Sequence, residues 1–407
     1  MAIGGANTHL DSLDLSDPGL YAGDFPHALF DELRRRAPVF RSVRPDGSSF
    51  WALTRHGDAA LVARSARSFT STRGSVFPRT AGELERGRDL LVQNDPPRHS
   101  RLRALVQQGF SPRMIGLLTD GIRERSARIV RRLEDRGQVN FVSEVSAVLP
   151  AEVTADILGV AAEDRAEVGR WVQGVWGRDD PAVGGGEASR SAWDAFEEYL
   201  AGLREHKRGH PADDIATLLA DAAVDGERLT DNEYRSLFVE LTVAGFETTN
   251  SLIAQGMRVL LTQPDALATL RREPAAIPTA VEEMLRFCSP FVHLARTATE
   301  DVEVGGQAIA AGEIVTVWLP AVNRDPAVFE EPHVFRSDRD PNPHVAFNPG
   351  GHHYCLGAHL ARLEARVLFE ELLLRGPELS LAGEPTHLRS TMVQALTHLP
   401  VAVRPRR

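Results

Sequence analysis

The chain has 407 residues, 43% of them hydrophobic and 25% charged, which is enough apolar material to bury a large core. Its formal net charge of −10 argues against a nucleic-acid partner, and no run of 18 apolar residues is present to span a membrane. The opening MAIGGANTHLDSLDLSD has neither a basic nor an apolar segment, so no secretory signal is expected, and the two cysteines, Cys288 and Cys355, fit a reducing cytoplasm.

Residues 1–22 are polar and irregular and read as a partly ordered lead-in. The pattern over 25–36 predicts a helix closed by Pro38, and 39–43 with 49–54 a hairpin around Pro45, Asp46 and Gly47. A short helix follows over 56–64. Residues 69–91 are broken by Gly74, Pro78 and Gly82 and read as a long loop with at most one short helix, a length that usually marks function. Asp95-Pro96-Pro97 opens the next helix, with Asp95 as N-cap and Pro96 at its first position. On it His99 and Arg103 stand four apart, on one face; such a pair is also what a solvated charged face looks like. Helices are predicted over 113–136, 141–158 and 163–176. Residues 179–189, with Gly184, Gly185 and Gly186, read as a flexible break before a helix over 191–206.

The stretch 230–262 is the longest helical pattern and is apolar on most sides, so it should run through the core. Its centre, LTVAGFETTNS, places Gly245 and polar groups where a core helix should be apolar, which is where function is expected. Short helices over 265–272 and 278–287 follow, the second carrying Glu283 and Arg286 three residues apart. From 289 the texture turns to strands, over 291–298 and 302–319, then to an irregular meander over 323–343 and to strand and turn over 385–403. Helical and β-rich parts interleave along the chain. The fold class is therefore mainly α with small β-sheets, in one domain.

The pattern converges on residues 347–362, FNPGGHHYCLGAHLAR. A glycine-lined loop ends in a lone cysteine, and apolar residues at 356, 360, 363 and 367 mark one face of a helix that starts there. The N–H groups and positive dipole end of a helix start stabilise a thiolate. One thiolate without a second cysteine nearby makes a poor zinc or disulfide site. It suits a proximal ligand to haem iron. The plainer alternative is a buried structural cysteine.

On Gly351, His353, Cys355 and Gly357, followed by Leu360, Ala361, Arg362 and Glu364, the chain resembles the cytochrome P-450 family of haem-thiolate monooxygenases. One spacing departs from the common family loop. The aromatic residue, Phe347, lies eight before the cysteine rather than seven, where Asn348 stands. The sub-branch acting on sterol side chains and methyl-branched lipids is similar in this longer loop.

The resemblance implies a single triangular catalytic domain over 23–407 and haem b as cofactor, with Cys355 as the iron ligand. Ala244-Gly245-Phe246-Glu247-Thr248 matches the family's oxygen-activation motif, with Glu for the commoner Asp. The chemistry needs protons delivered at the haem face. A hydroxyl such as Thr248 can hold a proton donor there and an acid such as Glu247 can relay from solvent, while Gly245 leaves room beside the backbone. Taken alone, Thr248 could equally bond back to the preceding turn. His99, Arg103, Arg296 and His353 match positions that hold the haem propionates, a task suited to Arg. His353 with His352 also admits reading as a metal pair, although no further ligands sit at zinc spacing. Glu283 and Arg286 match a pair that locks the meander. The helix, break and helix over 163–206 resembles the family's mobile lid.

A member of this family without a fused reductase takes electrons from NAD(P)H through a ferredoxin reductase and a ferredoxin. The implied protein is a cytoplasmic monomer, and Arg101, Arg362 and Arg366 form a basic face for an acidic ferredoxin. The implied substrate is a small hydrophobic molecule, a terpenoid, steroid or fatty chain, with an antibiotic precursor as rival. Candidate pocket residues are Val76, Phe77, Val92, Ala244, Phe291, Val292, Leu294 and Val393. A gas or redox sensor and a peroxide-driven oxygenase are the alternatives. Cys288 reads as a buried inert thiol, and His293 either faces substrate or caps a strand.

Overall fold

The helix Asp231–Thr262 begins with reciprocal capping, in which the Thr230 hydroxyl accepts from the Glu233 N–H and the Glu233 carboxylate accepts from the Thr230 N–H. Without proline or an internal stop it continues for 32 residues, with Leu237, Phe238, Ile253, Ala254 and Leu260 buried along it. The computed structural model describes residues 13–405 other than 78 and 225. Around this core helix pack Val148–Leu158, Arg165–Trp176, Ile277–Cys288 and Ala358–Leu374.

The largest sheet has five strands in the spatial order Val39–Val43, Ser49–Leu53, Ile314–Trp318, His293–Ala298 and Phe69–Thr70. Ile314–Trp318 is parallel to Ser49–Leu53, with Val315 opposite Trp51, and antiparallel to His293–Ala298, with Val315 opposite Arg296. The sheet thereby carries Arg296 from the middle of one strand towards the core. Two residues of the lead-in tie it to this sheet. The Tyr21 hydroxyl donates to the Leu15 carbonyl at 2.8 Å, and the Tyr21 ring stacks on Trp318 at 5.6 Å.

Three local expectations are corrected. The helix carrying His99 spans Arg98–Gln107 and starts at Pro97. Asp95 does not cap it, because its carboxylate turns back to accept from the Ser71 N–H at 3.0 Å and from the Thr70 hydroxyl. The helix after the glycine run is Gly185–Gly209, not 191–206. Its break is confined to 177–184, where Asp180 is extended and Gly184, at φ +93°, adopts the left-handed conformation that a glycine permits. The stretch at 141–158 is two elements, a π-turn over Val142–Ser146 and then Val148–Leu158.

Strands at Gln138–Asn140 and Glu378–Leu381 pair with Pro400–Arg404 and were not legible as separate elements. They are too short for a periodic signal. Among the described residues no helix is long and apolar enough to cross a membrane.

Candidate active site

A cavity of about 480 Å³ opens between the core helix and the cysteine loop. Ala244, Gly245 and Thr248 line it from the helix, and Phe347, His353, Cys355 and Gly357 from the loop. His99, Arg103 and Arg296 complete this part of the wall. The sequence candidates on the cofactor side thus converge, apart from Gly351.

The loop is closed by the Cys355 N–H, which donates to the Phe347 carbonyl at 3.0 Å across the eight-residue spacing. Asn348 adopts φ +80° and donates from Nδ2 to the His353 carbonyl at 3.1 Å. Gly351 has φ +80°, and a Cβ there would lie 2.4 Å from the Ala63 carbonyl oxygen. Its role here is the close packing of the loop on the helix His56–Arg64. The following helix, Ala358–Leu374, takes Gly357 as N-cap, so Cys355 lies just ahead of its first turn. Enclosure pushes the Cys355 thiol up, while the Gly357 N–H, Arg103 and Arg362 favour the thiolate. Arg362 lies 4.5 Å over the Phe347 ring and is engaged by both Glu282 oxygens at 2.7 and 2.9 Å.

The basic side chains beside the loop lack acidic partners. His99 is 1% exposed, and neither ring nitrogen has a hydrogen-bond partner. Burial lowers its pKa to about 4. Arg296 is buried and donates to the carbonyl of Ala295 at 2.7 Å, and burial lowers its pKa to about 10. Arg103 donates to the His352 carbonyl at 3.2 Å. Among the described residues no carboxylate forms an ion pair with Arg103 or Arg296. His353 Nε2 meets the Ser71 hydroxyl at 3.0 Å. Asp95, His352 and His353 have ligand atoms within 4.8 Å of one another, but the Asp95 oxygens are held by Thr70 and Ser71.

On the opposite wall the Thr248 hydroxyl donates to the Ala244 carbonyl at 2.7 Å. This turn-to-turn bond occupies its proton and leaves its oxygen facing the cavity as an acceptor. A Cβ at Gly245 would lie 2.9 Å from Thr154 Oγ1, so the glycine also permits helix packing. Glu247 does not line the cavity. It is buried and accepts from Asn250 Nδ2 at 3.0 Å; Asn250 Oδ1 in turn accepts from the Ser146 hydroxyl at 2.7 Å. Burial raises the Glu247 carboxyl to about 7.

Below the cavity, Glu283 and Arg286 are both fully buried and 2.7 Å apart. Arg286 also donates to the Asn323, Pro332 and Val334 carbonyls, and Arg339 adds a second cation to Glu283 at 3.1 Å. The pair therefore ties the meander to the helix Ile277–Cys288.

The family model for cytochrome P-450 matches residues 186–376. The chain is 34% identical over 397 residues to a steroid C26-monooxygenase of Mycobacterium tuberculosis, covering 95% of this chain and 91% of that one. This chain belongs to the cytochrome P-450 family. A methyl-branched lipid omega-hydroxylase of Mycobacterium bovis is 35% identical, covering 93% of this chain and 91% of the relative. A solved Mycobacterium marinum cytochrome P-450 in complex with pseudoionone has a TM-score of 0.91 at 33% identity, covering 99% of this chain and all of that one. The protein is a cytochrome P-450 monooxygenase with the family's fold, and the family's cofactor is a haem with a thiolate ligand.

The apolar wall of this cytochrome P-450 includes Val76, Val92, Phe291 and Leu294. Three expected pocket residues do not line it. Phe77 packs on Phe50 at 4.7 Å. Val292 is fully buried with Trp318 and Ala321 on the other side of the sheet. Val393 pairs through its backbone with Phe291, and its neighbour Met392 takes the wall instead, a slip of one residue that inverts the face. Sequence reasoning also missed Trp176, Trp193 and Leu241. The Trp176 indole donates to the Val243 carbonyl at 3.1 Å, a long-range bond with no local signature. His293 does not face the cavity. Its Nε2 accepts from the Phe77 N–H at 2.9 Å and its Nδ1 meets the Thr391 carbonyl at 2.9 Å, so it pins two loops. Burial pushes the Cys288 thiol up to about 12, consistent with an inert group.

Proposed function

We propose that Cys355 would hold the iron of a haem b in this cavity as its thiolate ligand, and that the enzyme hydroxylates a steroid or branched aliphatic chain. The observation that carries this reading is the arrangement of the wall. A lone thiol faces one side, Thr248 the other, and His99, Arg103 and Arg296 stand beside them without acidic partners. Two carboxylates such as haem propionates match this pair of guanidiniums with an imidazole beside them, and buried donors without partners are costly in their absence. Phe347 and Gly357 line the cavity beside Cys355 and would contact the bound group, and His353, fixed by Ser71, orders the loop between them.

When bound, the haem supplies the oxidation, placing one atom of dioxygen in a C–H bond and releasing the other as water. The chain's own residues position and protonate. Thr248 holds a hydrogen-bond donor at its Oγ1, and Glu247 passes a proton from solvent after releasing the Asn250 amide. A carboxyl titrating near neutrality is suited to both steps. Val76, Leu241, Phe291 and Leu294 bind apolar substrate and exclude water. The similarity to a steroid C26-monooxygenase and a methyl-branched lipid omega-hydroxylase supports this substrate class.

The reading extends to NAD(P)H as electron source, delivered by a ferredoxin reductase and a ferredoxin. It places a cytoplasmic monomer in one catalytic domain over 23–407, supported by a hydrophobic cluster that joins residues from 115 to 403. Glu282 already engages Arg362, and Glu370 lies 3.8 Å from Arg366, so the proximal basic face is partly compensated. Reduction by ferredoxin should then depend only modestly on salt. A Soret-shift screen of steroids, branched lipids and compact aromatic precursors tests the substrate class. Shifts with the first two, and NADPH-dependent hydroxylation with surrogate partners, are expected. A response to the aromatic compounds alone overturns it.

A further inference from the structure

The same cavity has a second group of cations, away from the cysteine loop. Arg79, Arg86, Arg178 and Arg190 line it, with Glu83 as the acid among them. The helix Ala81–Arg86 explains why Glu83 cannot serve them all. One Glu83 oxygen accepts from the Thr80 N–H at 2.7 Å and hydroxyl at 2.9 Å, completing a helix cap. The other accepts from Arg178 at 3.1 Å. Glu240, deeper on the wall, is taken by the Leu91 and Val92 N–H groups.

Arg79 is left over. Its Nε is buried with no hydrogen-bond partner, and among the described residues it has no ion pair. Its charged neighbours are Arg178, which repels it, and the engaged Glu83. Burial lowers its pKa to about 10, so it remains cationic at neutral pH. Arg79 is half-buried, and a buried guanidinium N–H without an acceptor is costly unless a ligand supplies one. The same cavity is also lined by the apolar Val76, Trp176, Leu241 and Phe291.

We infer that Arg79 is a carboxylate-binding residue, and that the substrate is a long apolar molecule ending in a carboxylate. Its acid end pairs with the guanidinium fork, and its hydrocarbon lies along the apolar wall with the far end towards Cys355 and Thr248. This rests on the proposed function above and narrows it from hydrophobic chains to amphipathic acids. It also assigns regiochemistry, since an acid anchored at Arg79 presents its distal carbons to the reaction centre.

The test uses the holoenzyme and a matched pair, a long methyl-branched fatty acid and its methyl ester, each titrated by the shift of the Soret band near neutral pH. The acid should bind at least about tenfold more tightly than the ester. Arg79→Gln should abolish that preference by weakening the acid alone, and Arg79→Lys should restore part of it. Product analysis should show oxidation at the distal end in the native enzyme and scattered positions in Arg79→Gln. Equal affinity for acid and ester overturns the inference. So does an equal loss for both ligands in Arg79→Gln, or a Soret response to neither. The ferrous-carbonyl spectrum of the same sample reports separately on the haem-thiolate reading, so the two failures are distinguishable.

Discussion

Glu247 and Asn250 stand one turn apart on the core helix, and the amide Nδ2 donates to the carboxyl Oε1 at 3.0 Å in a fully enclosed setting. The motif's acid is therefore not in the cavity but behind its wall. Desolvation holds its proton up to about pH 7. Below that pH Glu247 is an acid ready to donate, and above it the carboxylate must be re-protonated. Turnover should show an inflection near neutrality that Glu247→Gln removes, with kcat down by about 10²-fold. A variant that keeps both the rate and the inflection would refute the relay.

Thr248 donates to the Ala244 carbonyl, so its removal leaves no buried donor stranded. Thr248→Ala should cost under about 1 kcal/mol in stability. It should still consume NADPH while diverting it to peroxide. Tight coupling of NADPH to product in Thr248→Ala would contradict the assigned role.

Glu283 is held by the buried Arg286 and Arg339 and by the half-buried Asn342. Glu283→Ala leaves two buried guanidiniums without their acid, which costs about 3–5 kcal/mol. Haem retention during thermal denaturation should fall sharply. An unchanged melting profile would show that the meander is held by other means.

Gly351 meets the Ala63 carbonyl closely and has positive φ. Gly351→Ala adds both a clash and backbone strain, together about 2 kcal/mol or more. The cysteine loop should loosen, seen as loss of haem from purified protein. Full haem occupancy in that variant would show that the loop tolerates displacement.

Glu364 is 1% exposed on the helix after the cysteine loop, and burial raises its carboxyl to about 8. The folded protein keeps this proton where the unfolded chain, with an ordinary carboxyl, has lost it. The contribution to stability is thus complete below about pH 4.5 and is lost as pH rises through about 8. Glu364→Gln should be more stable than the parent at pH 8 by on the order of 2–4 kcal/mol, and equal to it near pH 4. Parallel stability curves would contradict the buried titration.

What the sequence revealed was chemistry carried by neighbouring residues. The cysteine loop, the Ala244–Thr248 turn and the Glu283–Arg286 pair are each local, and spacing made each visible, although only the resemblance to the family gave each an expected role. What it hid depends on convergence. Whether Val393 or Met392 faces the cavity turns on one residue of register at an isolated bridge. Asp95 looked like a helix cap because the competing donors, Thr70 and Ser71, lie 25 and 24 residues away. The Arg79 group joins a loop, a short helix and the lid helix, and no stretch of sequence contains enough of it to be noticed. Thr248 shows the converse: the back-bond expected of an ordinary buried threonine is present, and the cavity beside it is what gives the hydroxyl a role.

The central claim is that Cys355 is the thiolate that binds haem iron. The most direct measurement is the ferrous-carbonyl Soret spectrum of native protein and Cys355→Ser. The native protein should give the long-wavelength band characteristic of thiolate ligation, and Cys355→Ser should lose it while the fold persists by circular dichroism. A band that stays in place in Cys355→Ser would contradict the account.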